Sequence, residues 1–118
     1  MEELNKLSDK HIEKNRIKII KALKSGKYTQ IIGCVRSRFG HCFIGLVYQE
    51  LGMMKGFQHT GSREDIAIML GLEGPGHLDT TKKVDILVYM NDAGQSFNTI
   101  ADSLINVEGF PNVKPEDI

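Results

Sequence analysis

Seven side chains able to hold an anionic, aromatic ligand fall between positions 27 and 41: Lys27, Tyr28, Gln30, Arg36, Arg38, Phe39 and His41. A guanidinium fork binds phosphate through two parallel hydrogen bonds, an ammonium adds charge, an aromatic ring offers a face to a base, and a carboxamide reads a base edge. In that scheme Arg36 and Arg38 hold phosphate, Lys27 adds charge, Tyr28 or Phe39 stacks, and Gln30 reads the base. Arg16 joins the ligand-binding candidates because it shares a helical face with Ile12, Ile19, Ile20 and Leu23, where an unpaired charge costs on the order of several kcal/mol. A core-edge carboxylate would satisfy that guanidinium as well as a ligand would. The residues from 27 to 41 are also ordinary components of an exposed hairpin, so their types leave both readings open.

Other chemistries are less well supplied. Cys34, His41 and Cys42 lie close together, with His59 and His77 further on, but the spacing matches no zinc knuckle, and an adjacent His and Cys cannot easily both reach one ion from a regular element. Neighbouring side chains on a helix or strand point apart, so His41 does not naturally activate Cys42 as a nucleophile. The chain has no GxxxxGK[ST] phosphate loop and no Gly-x-Gly-x-x-Gly opening a helix, and Gly74-Pro75-Gly76-His77 reads as a turn. With no convincing acid–base pair, nucleophile or ligand set, the expectation is binding without turnover, with no catalytic residue, cofactor or metal.

Several elements must position these groups. Ser8 is a helix N-cap and Gly26 a stop, which predicts a first helix from about Asp9 to Lys24 with Ile12, Ile19, Ile20 and Leu23 inward. Tyr28, Thr29, Ile31, Ile32 and Val35 favour extended chain from Lys27 to Arg38, with Gly33 marking a bulge or bend. The run from Cys42 to Leu51 is apolar nearly all round and ends in Gly52, so it is read as a buried central helix rather than an inner strand. Ser62 caps a short helix from Arg63 to Leu70, and Gly71 stops it. Val84 to Met90 has strand propensity, Asn91 to Gly94 turns the chain, and Ser96 opens a last helix with Phe97, Ile100, Leu104 and Ile105 in the core. The tail, 107–118, is expected to be extended and to clasp the body or a second subunit.

At 118 residues, 41% hydrophobic and 25% charged, the composition fits one domain, 1–118, and excludes a wholly disordered chain. The expected class is α+β, mainly helical, with a small β-hairpin or short sheet. The longest apolar run is far too short to span a bilayer, and Glu2, Glu3 and Lys6 do not open a signal peptide; a cytoplasmic protein with reduced thiols is expected. The zero net charge conceals an asymmetry. Residues 1–38 hold ten Lys and Arg against four Asp and Glu, and residues 39–118 hold five against eleven. The basic third either binds anions or is a solvated helix that faces acidic segments of its own fold or of a second subunit, and a homo-oligomer is expected. The acidic remainder argues against duplex DNA as a partner.

Three blocks carry a resemblance. Ala22 to Gln30, then Gly33-Cys34-Val35-Arg36 with the His41 to Val47 run, and finally Met90 to Asp102 (the NDxGxSFxxIAD pattern) resemble a widespread family of small tailed-phage accessory proteins without an assigned activity. That family usually carries paired cysteines where His41-Cys42 stands here, so no thiol role carries over. The resemblance implies a phage protein acting in a bacterial host cell. By analogy with accessory phage proteins of this size, it implies an antagonist of host defence that sequesters a signalling molecule or grips a host protein. Joined to the Arg, Lys and aromatic cluster, this makes capture of a cyclic-nucleotide signal the leading expectation, and inhibition of a host defence or regulatory protein the alternative.

Overall fold

The computed structural model describes residues 8–33, 36–37, 40–55, 58–59, 61–73 and 81–114. Arg38, Phe39, Cys34 and the Gly74 to His77 turn lie outside them, and of Arg36 only the backbone is described. Within these residues the fold is mainly helical: α1 (Asp9–Ser25), α2 (Phe43–Glu50), α3 (Arg63–Leu70), α4 (Lys82–Asp92) and α5 (Phe97–Asn106), with two-residue strands β1 (Arg36–Ser37), β2 (Gly40–His41), β3 (Met54–Lys55) and β4 (Gln58–His59). The strands form two separate antiparallel hairpins, β1 with β2 and β3 with β4. The second hairpin lies in the stretch between α2 and α3, where propensity alone indicated no element.

Ser8, Ser62 and Ser96 each accept a hydrogen bond from a first-turn backbone N–H, which relieves orphan donors at the starts of α1, α3 and α5. At α3 the cap is reciprocal, since the Asp65 carboxylate also accepts from the Ser62 N–H.

The helix α2 is the centre of the packing. Six successive residues, Phe43 to Tyr48, are buried, so this helix is covered on every side. Around it α1 packs against α2, α3 and α5, and α4 packs against α2, α3 and α5. Ile19, Ile20 and Leu23 of α1, Ile66 and Leu70 of α3, and Ile100 and Leu104 of α5 complete one continuous core. Ile12 and Ile105, expected inside, are only partly covered and lie at its rim.

The segment from Val84 to Met90 is helical, which corrects the strand expectation. Val84, Leu87, Val88 and Asn91 are the buried residues of α4, a spacing of three, four and seven that makes one helical stripe. Burying that stripe outweighs the few tenths of a kcal/mol by which Val and Ile disfavour helix, so propensity, roughly 0–0.7 kcal/mol per residue, loses to packing. Asn91 and Asp92 accordingly end α4 instead of forming the turn, which falls on Ala93 and Gly94, the latter at φ +89°. After α5 the chain is irregular, but Phe110 is 3% exposed and belongs to the core. The Lys24 ammonium reaches Asn112 Oδ1 at 2.8 Å and the Val113 carbonyl at 3.3 Å, so the described part of the tail clasps the body of its own chain.

Candidate functional site

The extended segment after α1 and the first hairpin meet at His41. Its N–H donates to the Thr29 carbonyl at 2.8 Å, and its carbonyl accepts from the Ile31 N–H at 3.0 Å. On the other side Arg36 pairs with His41 and Ser37 with Gly40, so a two-residue strand has neighbours on both edges. This closeness requires the glycine: a Cβ at Gly40 would collide with the Thr29 carbonyl oxygen.

A polar junction of side-chain amides locks that small sheet to three helices. The Asn91 side chain is fully buried. Its Oδ1 accepts from Gln30 Nε2 at 2.9 Å and from the Phe43 N–H at 3.0 Å, and its Nδ2 donates to the Ile31 carbonyl at 2.9 Å. Gln30 Nε2 also donates to the Gln95 carbonyl at 2.7 Å, while its Oε1 accepts from the Phe97 N–H at 3.1 Å. The Asp92 carboxylate accepts from the Gly33 N–H at 3.2 Å. Phe43 and Phe97 are the first residues of α2 and α5, so remote side chains supply caps that local residues would ordinarily provide. Cys42, at the N-cap of α2, makes no side-chain cap bond.

Beside the junction, Tyr28 donates its hydroxyl to Glu50 Oε2 at 2.5 Å, and Lys27 pairs with the same oxygen at 3.0 Å. The Tyr28 ring stands edge-on to the His41 ring, with centroids 4.8 Å apart. Arg16 does not meet a carboxylate. Its Nε donates to the Leu70 carbonyl at 2.8 Å and its Nη2 to the Gly71 carbonyl at 3.0 Å, while its guanidinium lies 4.4 Å from the centre of the Phe110 ring. Charged donors thus satisfy the orphan carbonyls at the end of α3, helped by its C-terminal partial charge. Asn15, also buried, donates to the Met69 carbonyl at 2.9 Å.

Of the residues expected to hold a ligand, Arg16, Lys27, Tyr28 and Gln30 are therefore engaged within the fold. Arg36 is fixed by its backbone opposite His41, and Arg38 and Phe39 lie outside the described residues. Sequence reasoning, which set Asn91 in a local turn, missed its reach to residues 48 and 60 positions away. It also missed the outward face of α4, where Ile86 is 50% and Tyr89 72% exposed. Ile32, 58% exposed, sits beside the last turn of that helix, because Asn91 and Asp92 bond its two neighbours. The signal for both was the spacing of Val84, Leu87, Val88 and Asn91, which assigns Ile86 and Tyr89 to solvent once α4 is a helix. Among the described residues no three His, Cys, Asp or Glu side chains are gathered as a metal ion would need, and no helix is long and apolar enough to cross a membrane.

Compared with protein-family models, with curated proteins and with solved structures, the chain finds no match in any of the three.

Proposed function

We propose that this chain is a non-enzymatic binding protein that grips another protein, acting as a phage-encoded inhibitor of a host defence or regulatory protein. One observation carries the reading: Ile86 and Tyr89 stand on the outward face of α4, with Ile32 held beside its C-terminal turn. Among the described residues, three of the four large, exposed hydrophobic side chains thus fall on adjoining segments, and Tyr is the kind of amphipathic anchor that interfaces favour. The phage setting comes from the sequence resemblance alone.

Capture of a small phosphate-bearing nucleotide stands second. It keeps Arg36, whose backbone pairs with His41, together with Arg38 and Phe39, which lie outside the described residues. It loses the base reader, because every hydrogen-bonding atom of the Gln30 amide already has a partner within the fold.

A photo-crosslinking residue at position 89 separates the two. The protein-partner reading expects one discrete adduct from bacterial lysate, lost when Ile86→Ser is added while the melting temperature stays the same. Absence of an adduct, together with a thermal shift produced by a cyclic di- or trinucleotide and abolished by Arg36→Ala or Arg38→Ala, would overturn it in favour of nucleotide capture.

A further inference from the structure

The outward face of α1 carries four lysines. At roughly 100° per residue, Lys10, Lys14, Lys18 and Lys21 fall within an arc of about 80° and extend over about 16 Å of helix, with Ile17 about 20° beyond one edge of that arc. Lys10, Lys14 and Lys18 are exposed, and Lys21 and Ile17 are half-buried. The ion pairs found among the described residues are Lys27 with Glu50, Arg63 with Asp85, and Lys83 with Glu108; none involves this stripe. Lys10, Lys14 and Lys18 are successive like charges at a spacing of four, an arrangement that disfavours the isolated helix. One of the readings left open by the sequence set acidic segments of the same fold against the basic helix; among the described residues no ion pair joins such a segment to these four lysines.

Three features of the face decide between partners. It offers no amide and no phenyl, phenol or indole ring to a base, only lysines flanked by Ile17 at one edge and His11 at the other. Asp9 and Glu13 border it on one side, and these would repel a continuous phosphodiester chain but can pair with basic residues on a mixed protein surface. Successive lysines rise by about 6, 6 and 4.5 Å, which equals the rise between carboxylates spaced four, four and three residues apart on another helix. We propose that the lysine stripe of α1, with Ile17 at its edge, docks an acidic amphipathic helix of a partner protein. This deepens the protein-partner reading by specifying the partner's charge, at a surface separate from the outward face of α4.

The test uses the full chain and three fluorescent probes. One is a 21-residue alanine-based helical peptide with glutamates spaced four, four and three and a leucine at the edge of their stripe; the second has the same composition with glutamates spread around the helix; the third is a 20-nucleotide oligothymidylate. The patterned peptide is expected to bind at least tenfold tighter than the scrambled one at about 50 mM salt and to weaken as salt rises. Lys14→Ala with Lys18→Ala is expected to weaken it at least tenfold with an unchanged melting temperature, because both side chains are exposed. Tyr89→Ser is expected to leave it unchanged. Equal affinity for patterned and scrambled peptides, no binding of either, or tighter binding of the oligothymidylate would each overturn the proposal. The crosslink at position 89 is read separately, so the α4 surface can stand where the α1 stripe fails.

Discussion

Asn91 shows how much one buried amide can organise. Replacing it by Ala leaves the Phe43 N–H and the Ile31 carbonyl without the partners they have now, and each such loss costs about 1–3 kcal/mol. Asn91→Ala should therefore lower stability by about 2–5 kcal/mol in urea denaturation. Gln30→Ala should act on the same junction and combine non-additively with it, which a double-mutant cycle would show. Tyr48 makes a prediction in pH. Its burial raises the phenol above the ordinary value of 10.0, Arg63 opposes the shift, and Asp65 and Cys42 reinforce it. The folded state thus holds its proton longer than the unfolded chain, so this contribution is intact below the unfolded value and is lost as pH rises through the folded one. Stability of the native protein should fall more steeply between about pH 9 and 11 than that of Tyr48→Phe, measured by denaturation across that range.

At the scale of elements, the contact of α1 with the end of α3 depends on Gly71. The residue lies at φ +66°, and a Cβ there would come within 2.8 Å of Arg16 Nη2 and 3.1 Å of Ile12 Cγ2. Gly94, at φ +89°, has open space around the same position. Gly94→Ala should incur only the backbone penalty, about 1 kcal/mol, whereas Gly71→Ala adds displacement of the guanidinium and should cost about 2–4 kcal/mol. Equal losses in the two variants would show that Arg16 moves aside freely. The serine caps and glycine stops of α1 and α3 were legible as local chemistry, since each acts within a turn of its own residue. The helix α4 was not, because its β-branched residues favour strand while its identity depends on what its buried stripe meets.

For the molecule as a whole, the tail and the charge distribution show how separate parts combine. Phe110 enters the core and lies under Arg16, and Lys24 holds Asn112 and Val113, so the described tail runs along α1 and joins the last helix to the first. The outward face of α1 directs Lys10, Lys14 and Lys18 at solvent, while Lys27 of the basic third pairs with Glu50 of the acidic remainder. The amino-acid sequence by itself determined the mainly helical class, the starts of α1, α3 and α5, the buried helix α2 and most of the core, because capping and hydrophobic period act over a few residues. The tertiary structure alone decided what the polar residues do. Arg16 and Gln30 have the chemistry to hold a ligand, and in isolation they remain candidates for it. In the fold they sit within hydrogen-bonding distance of helix ends whose backbone groups have no local partner, and burial without a partner is costly enough to commit them there.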